Sequence, residues 1–357
     1  METINAPQIF EHFSKSLNFT PFDVKWLPYS AKTVLIGQTP KMEGVIKFYN
    51  MGKDDLVELV SQNFGKGLKC CAFNYFSSNT TPSLAVGDMS GKLFIYDLEK
   101  QKVNYEVQAH SSMLNCLDTV GGILGKGAVE IVTGGRDGRV NLWDPRQSSA
   151  VLTLEPVKGD NDTVPDCWAV GLGNAHSLED RCIVSGYDNG DVKMFDLRKN
   201  QLIWEDNLKN GVCGLEFDRR DIEMNKLSIT TLEGRLHVYD LRTLHPTQGF
   251  SGISERLSNS TMWGVKHSPH NRDLMATMGG DGILRLHKYN YPTQRKIQDE
   301  EGRGKGVCGN IELLNDKKVA QQPIVGFDWN NDKLGLGIST ALDQSLKVIL
   351  FTKLNLY

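Results

Sequence analysis

Residues 131–147 of the chain read IVTGGRDGRVNLWDPRQ, and this stretch decides the fold. A β-branched run, a turn at Asp137-Gly138 and a second run of alternating apolar residues predict two antiparallel strands joined by a tight hairpin. The second strand ends at Trp143-Asp144. A single hairpin is at best marginally stable in water, so these strands are expected to belong to a larger sheet.

The hairpin is one of seven copies along the chain. The glycine of its turn recurs at intervals of 44 to 52 residues, and a seventh copy with serine in that place follows after 63 residues. The aligned turn positions are Gly44, Gly91, Gly138, Gly190, Gly234, Gly282 and Ser345. Four strands in about 45 residues, repeated seven times, predict an all-β fold, a seven-bladed β-propeller that forms one domain over residues 1–357.

Both ends of the sequence point to closure of the ring. Residues 345–351 are followed by no fourth strand, whereas residues 8–13, QIFEHF, precede the first inner strand and have no partner of their own. We predict that the two segments pair, complete blade seven and leave no open sheet edge. The 63-residue interval marks an insertion at about residues 290–322, between blades six and seven. Residues 309–314, GNIELL, are expected to form the outer strand of blade six and the rest a mobile loop.

The repeat and its Trp-Asp dipeptide resemble the WD-repeat family over nearly the whole chain. The resemblance implies a hydrogen-bonded tetrad in blade three, formed by His110, Thr133, Asp137 and Trp143. Ala109 stands where the family usually has glycine, and no other blade keeps all four tetrad residues. The whole tetrad can therefore be carried over to blade three only, and the repeat count does not depend on it.

Composition excludes several classes of function. Forty Lys and Arg against 43 Asp and Glu give a net charge of -3, so no basic excess favours nucleic acid or an anionic membrane. No apolar run approaches the ~20 residues of a membrane span, and we expect a cytoplasmic protein. The seven cysteines include no C-x-x-C pair, which argues against disulfides and a zinc site. We expect neither a metal nor a cofactor.

No catalytic motif is found. The glycine-rich segments 121–128 and 302–309 lack the spacing of a phosphate-binding loop and are not expected to open a helix. The patterns H-E-x-x-H and G-x-S-x-G are absent, and most cysteines lie on predicted inner strands, where a small thiol suits a crowded hub. We therefore predict that the protein is not an enzyme and has no catalytic residues.

The inner strands supply the candidate binding residues. Each inner strand begins at the mouth of the central channel, so its second residue is expected near the hub of one face. These residues are Phe22, Lys69, Asn115, Trp168, Cys213, Trp263 and Val325. Tryptophan is enriched where binding energy concentrates, so Phe22, Trp168 and Trp263, with Lys69 and Asn115 beside them, are predicted to bind a partner protein. The alternative is that the aromatic rings pack between blades.

An Asp-x-Arg sequence follows the third strand of three blades and ends at Arg146, Arg198 and Arg242. It resembles the W-D-x-R motif by which substrate receptors of cullin ubiquitin ligases dock the ligase's propeller adaptor. Only the blade-three copy has tryptophan. The alternative is an ion pair in solvent, which contributes little to stability.

A closer resemblance is to the WD-repeat dynein axonemal assembly factors. Segments 210–227, NGVCGLEFDRRDIEMNKL, and 232–250, LEGRLHVYDLRTLHPTQGF, carry it, and it extends from IFEHF to the terminal TKLNLY. It implies a cytoplasmic adaptor of the prefoldin-like co-chaperone assembly with RuvB-like ATPases, required for stable axonemal dynein heavy chains, and a link to apoptosis. We expect protein partners, no nucleic acid, no membrane, and a monomer within a larger complex. The alternative function is that of a ligase substrate receptor.

Overall fold

The computed structural model describes residues 6–53, 55–74, 82–156, 163–219 and 222–357. These residues form seven four-stranded antiparallel sheets and one short extra hairpin. The strands, in chain order, are β1 (Ile9–Ser16), β2 (Thr20–Trp26), β3 (Lys32–Gln38), β4 (Gly44–Met51), β5 (Leu56–Phe64), β6 (Leu68–Asn74), β7 (Ser83–Asp88), β8 (Lys92–Asp97), β9 (Lys102–Gln108), β10 (Leu114–Val120), β11 (Glu130–Gly135), β12 (Val140–Trp143), β13 (Leu152–Leu154), β14 (Cys167–Gly173), β15 (Cys182–Tyr187), β16 (Asp191–Asp196), β17 (Gln201–Asn207), β18 (Val212–Phe217), β19 (Lys226–Thr231), β20 (Arg235–His245), β21 (Gly249–Arg256), β22 (Met262–His267), β23 (Leu274–Gly279), β24 (Ile283–Asn290), β25 (Lys296–Gln298), β26 (Gly304–Gly306), β27 (Asn310–Lys318), β28 (Ile324–Trp329), β29 (Leu336–Ala341) and β30 (Ser345–Phe351).

The seven sheets are the blades of a β-propeller, which confirms the predicted fold. From inner to outer strand the blades are β2-β3-β4-β5, β6-β7-β8-β9, β10-β11-β12-β13, β14-β15-β16-β17, β18-β19-β20-β21, β22-β23-β24-β27 and β28-β29-β30-β1. The turn between the second and third strands holds a glycine of positive φ in blades two to six, and Gly138 of blade three has a φ of 75°, a conformation that glycine accepts at no steric cost. In blade one Gly44 was predicted to lie in the turn, but it is the first residue of β4. The sequence repeat therefore corresponds to one blade.

The N-terminal strand closes the ring as predicted. Strand β1 pairs antiparallel with β30, from Ile9 opposite Phe351 to Ser16 opposite Ser345. Lys347 Nζ reaches Glu11 Oε2 at 2.7 Å across this pair. Because β1 is the outer strand of blade seven, the first and last described strands of the chain are held in one sheet.

The insertion, predicted between blades six and seven, lies within blade six, between its third strand β24 and its outer strand β27, and it is ordered differently from the prediction. Its C-terminal part forms β27, which includes the predicted residues 310–314 and pairs with β24. The rest was predicted to be a mobile loop, and this was wrong in one respect, because strands β25 and β26 form a hairpin that packs on β20 of blade five. Strand β20 has eleven residues and extends beyond the blade, so it offers the hairpin a surface.

The hydrophobic core is divided among the gaps between neighbouring blades. Second strands such as β7 and β15 are buried along their whole length, whereas outer strands such as β9 alternate between partly buried and exposed residues. One cluster packs Val34 and Ile46 of blade one against Leu84 and Tyr96 of blade two. Each sheet is covered by its neighbours, so the inner strands are held rigidly around a central channel, where the candidate site lies.

Helical structure in the described part of the chain is limited to short 3₁₀ turns, Gly122–Leu124 and Leu354–Leu356. Neither has the length or the apolar character needed to span a bilayer.

Candidate functional site

The inner strands bulge at the same place in all seven blades. In each, the pairing with the second strand skips one residue, and the skipped residues are Phe22, Lys69, Asn115, Trp168, Cys213, Trp263 and Val325. A β-bulge leaves one residue out of the ladder and re-aims its side chain. All seven side chains line one cavity of about 520 Å³ at the channel mouth. We name these seven residues the hub rim, and the face on which they lie the hub face.

The rim side chains differ in the contacts that they make with other residues of the protein and in their exposure to solvent. Lys69 Nζ lies 5.0 Å from the centroid of the Phe22 ring, within the range of a cation–π interaction. Asn115 Nδ2 donates to the carbonyl oxygen of Cys167 at 3.0 Å and so links blades three and four. Trp263 is 39% exposed, an unusual exposure for so large an apolar side chain. The structure thus brings the predicted residues together around one opening.

A second ring of residues, which sequence reasoning missed, lies deeper along the inner strands. It consists of the residues three positions after each bulge, and five of the seven are charged. The charged members are Lys25, Asp118, Glu216, Lys266 and Asp328. The sequence signal that could have found them is a charged residue at the same aligned position in strands that are mostly apolar.

The acids of this second ring tie neighbouring blades together. Asp328 Oδ2 accepts the backbone N–H of Trp26 at 2.8 Å, and Asp118 Oδ2 accepts that of Leu172 at 2.9 Å. Burial raises the pKa of Asp328 to about 6, against the opposing charge of Lys25. Because their oxygens are used in these bonds, the carboxylates hold blades in register rather than pointing free into the channel.

Burial keeps the thiols around the channel in their protonated form. Burial raises the pKa of Cys213 to about 12 and that of Cys70 well above its ordinary value, so both are protonated at neutral pH. A thiol, unlike a thiolate, is a poor nucleophile and a poor metal ligand. Within the ranges that the structure describes, no group of three or more His, Cys, Asp or Glu residues is placed to hold a metal ion.

The four tetrad residues of blade three form one continuous chain of hydrogen bonds. Trp143 Nε1 donates to Thr133 Oγ1 at 3.0 Å, and Thr133 Oγ1 lies 2.8 Å from His110 Nε2. His110 Nδ1 lies 2.9 Å from Asp137 Oδ1. Because the Asp137 carboxylate can only accept, Nδ1 of His110 must carry a proton, and in the neutral ring Nε2 then accepts from the Thr133 hydroxyl. His110 and Thr133 are buried, so this arrangement fixes the entry loop of blade three to its sheet.

The three Asp-x-Arg sequences lie on the face opposite the hub rim, because the third strand of a blade runs parallel to the inner strand and ends at the far side. Arg146 is exposed, and its Nε donates to Asp144 Oδ1 at 2.9 Å. Arg198 Nη1 instead donates to Glu179 Oε2 at 3.2 Å, and Arg242 pairs with Glu223. The predicted docking residues therefore have two kinds of surroundings, because Arg146 pairs within its own motif whereas Arg198 and Arg242 each pair with a glutamate of another loop.

The aspartate of the blade-five copy is covered by the insertion. Arg295, which precedes β25, donates from Nε to Asp240 Oδ2 at 2.7 Å. Its guanidinium carbon lies 4.9 Å from the centroid of the Tyr291 ring. Arg295 of the insertion thus pairs with the aspartate of the Arg242 motif. Of the three copies, blade three is the one in which the arginine side chain is hydrogen-bonded to the aspartate of its own motif.

Comparisons with known proteins agree with this architecture. The WD domain, G-beta repeat, matches residues 101–144, which include the blade-three tetrad. Over 358 residues the chain is 48% identical to dynein axonemal assembly factor 10 of Bos taurus, and the match covers 99% of each protein. The protein of the same name from Homo sapiens has the same identity and coverage. That of Chlamydomonas reinhardtii is 45% identical over 360 residues, again with 99% of each covered.

Proposed function

The chain belongs to the dynein axonemal assembly factor 10 family, and from this membership we propose that it is a protein-interaction scaffold for the assembly of axonemal dynein. Its relatives are named for that role, and the chain matches them from end to end. A propeller of this kind supplies a rigid platform on which a site is built.

The observation that carries the proposal is the hub rim. Bulges in all seven inner strands turn one residue each toward a single opening, and three of these residues are Phe22, Trp168 and Trp263. Aromatic anchors around a desolvated pocket are where protein interfaces concentrate their binding energy. We propose that these three rings, with Lys69 and Asn115, contact a protein partner.

More specifically, we propose a non-enzymatic co-chaperone adaptor that acts in the cytoplasm with the prefoldin-like assembly containing RuvB-like ATPases. Its clients would be axonemal dynein heavy chains. The closed ring supports this proposal, because a propeller stabilised between all of its blades needs no partner to fold and offers two faces. Protonated thiols and hydrogen-bonded channel carboxylates favour binding over catalysis.

The test compares a hub variant with the wild type and a matched control. The hub variant carries Phe22→Ala, Trp168→Ala and Trp263→Ala. The control carries Val57→Ala, Leu59→Ala and Leu202→Ala, which remove exposed apolar side chains from outer strands. Each protein is purified from ciliated cytoplasm after circular dichroism has established that it folds, and the co-purifying proteins are quantified by mass spectrometry.

We expect dynein heavy chains or co-chaperone subunits with the wild type and the control, and their loss with the hub variant. If the hub variant keeps these partners, the proposed site is wrong. If the wild type brings down neither class of partner, the proposed function is wrong. A hub variant that unfolds would instead support the alternative that the rings pack between blades.

A second candidate, the substrate receptor of a cullin ubiquitin ligase, is favoured only by blade three. There Arg146 is exposed and pairs with Asp144, and it follows the Trp-Asp dipeptide after one residue, Pro145. Because Arg198 and Arg242 pair with acids of other loops, this alternative depends on a single docking site.

A further inference from the structure

Three large apolar side chains are exposed on the face opposite the hub rim, in loops of blades seven and one. Tyr29, between β2 and β3, is 72% exposed, Leu334, between β28 and β29, is 46% exposed, and Leu356, after β30, is 57% exposed. The two interstrand loops touch, because Asn330 Nδ2 lies 3.5 Å from the carbonyl oxygen of Ser30. We name Tyr29, Leu334 and Leu356 the apolar loop surface.

Tyr29 is held outward by its own backbone. Its φ is 56°, in the left-handed region that bulky residues with a Cβ rarely adopt. The loop is closed by hydrogen bonds from Leu27 N–H to the Lys32 carbonyl oxygen at 2.8 Å and from Ser30 Oγ to the Leu27 carbonyl oxygen at 3.0 Å. Backbone strain that the surrounding structure maintains at an exposed aromatic residue is a feature of ligand-binding loops.

The other two side chains are also presented by ordered loops. Asn330 Oδ1 accepts the backbone N–H groups of Asp332 and Lys333, each at 2.9 Å, and so fixes the loop that carries Leu334. The 3₁₀ turn Leu354–Leu356 is anchored by its first residue, which is buried. A surface that is already ordered loses little conformational entropy when a partner binds.

Each of the three apolar residues has a lysine beside it. Lys32 begins β3 directly after the Tyr29 loop, and Lys333 precedes Leu334. Lys288 Nζ lies 5.5 Å from the ring centroid of Tyr357, the residue after Leu356. In the described part of the chain these three lysines form no ion pair, and Asp332 is the acid within the two loops. The surface therefore combines exposed apolar groups with unpaired positive charge.

We propose that the apolar loop surface binds an acidic segment of a partner protein, whose apolar side chains pack on Tyr29, Leu334 and Leu356 and whose carboxylates lie beside the lysines. Charge complementarity selects this occupant, because a basic segment would be repelled by the unpaired lysines. The loops follow the ends of β2, β28 and β30, so they lie across the propeller from the hub rim. Both sites can be occupied at once, and neither depends on the other.

The test uses two short fluorescent peptides and measures their binding by anisotropy. One alternates glutamate with leucine and phenylalanine, and its twin has lysine in place of every glutamate. An apolar variant carries Tyr29→Ser, Leu334→Ser and Leu356→Ser, and a charge variant carries Lys32→Glu and Lys333→Glu. The hub variant and the outer-strand control described above serve as matched controls.

We expect the acidic peptide to bind the wild type at least about 10-fold more tightly than its lysine twin does. Both surface variants should bind the acidic peptide about 10-fold or more weakly than the wild type. The hub variant and the outer-strand control should bind it as the wild type does. Equal binding of both peptides, no binding, or a loss confined to the hub variant would overturn the proposal. Two further results would also overturn it. If light scattering shows that the wild type is a dimer and that Tyr29→Ser makes it a monomer, the occupant is a second copy of the chain. If the wild type binds anionic vesicles and the charge variant does not, the occupant is a lipid surface.

Discussion

Arg295 and Asp240 are separated by 55 residues in sequence and joined by a hydrogen bond of 2.7 Å from Arg295 Nε to Asp240 Oδ2. Both Asp240 and Asp144, the matching aspartate of blade three, are buried, but Asp144 pairs with Arg146 of its own loop. The segment inserted between the third and outer strands of blade six thus supplies a cation to blade five. This contact fixes the insertion to the body of the propeller.

Replacement of Arg295 by alanine should cost more stability than its exposure suggests. It leaves the buried carboxylate of Asp240 without its cation, and breaking a buried pair by removing one partner costs about 3 kcal/mol of unfolding free energy. Arg242→Ala, at an exposed pair with Glu223, is the matched control and should change stability little. Urea unfolding measures both, and Asp240→Asn added to Arg295→Ala should recover part of the loss. Equal effects of the two single variants would contradict the proposed anchoring.

The tetrad predicts an acid-sensitive contribution to stability. Burial alone would raise the pKa of Asp137, but hydrogen bonds from His110, Ser111 and Arg139 outweigh it and lower the pKa to about 2. A carboxylate with a lowered pKa stabilises the fold above its unfolded value near 4, and this stabilisation, roughly 2 kcal/mol, is lost as the pH falls through about 2.

Asp137→Asn is the variant that isolates this effect. It should be less stable than the wild type at neutral pH, and the difference in unfolding free energy should shrink as the pH falls from about 4 toward 2. Urea unfolding across this pH range gives the difference directly. A difference that is independent of pH would show that the charge of Asp137 contributes nothing.

Closure of the ring should depend on one side of β1. Ile9 is 4% exposed within a hydrophobic cluster of blades six and seven, whereas its neighbour Phe10 is 48% exposed. Ile9→Ala should lower the free energy of unfolding by about 3 kcal/mol, because it leaves a cavity in a packed core. Phe10→Ala should change it by less than about 1 kcal/mol. Thermal and urea unfolding check both, and a larger effect of Phe10→Ala would mean that β1 pairs in another register.

Removal of the exposed arginines should not affect the hub partners. Arg146→Ala with Arg198→Ala alters the face opposite the hub rim, so we expect the proteins that co-purify through the rim to be unchanged. Quantitative mass spectrometry of the co-purified proteins makes the comparison. A ligase adaptor that is present with the wild type and lost with this double variant would establish the alternative function. Loss of dynein or co-chaperone subunits would show that the two faces are coupled.

Much of the fold could be predicted because its determinants are local. The strand alternation before Trp143, the turn residues and the spacing of the copies are short-range features, and they place Phe22, Trp168 and Trp263 at the same point of blades one, four and six. The structure adds the reason that these residues share an opening, since each is the bulged residue of its inner strand. The bulge itself has no local signature, because it depends on pairing with the next strand.

The parts that could not be predicted depend on contacts between distant segments. The hairpin of β25 and β26 has only three residues in each strand and is stabilised by the extension of β20 and by the bond from Arg295 to Asp240. The hydrogen bonds from channel acids to neighbouring blades and the exposure of Tyr29 also depend on how distant segments pack.

The sequence by itself determined the number of blades, their strand order and the residues at the rim, because period-two alternation and turn chemistry act between near neighbours in the chain. It also indicated closure of the ring, because one predicted strand near each end of the repeat had no partner in its own blade. Only the tertiary structure decided where the insertion packs, which Asp-x-Arg arginine pairs within its own motif and which apolar side chains face solvent. These outcomes depend on the packing of segments many residues apart, whose mutual positions exist only in the folded ring.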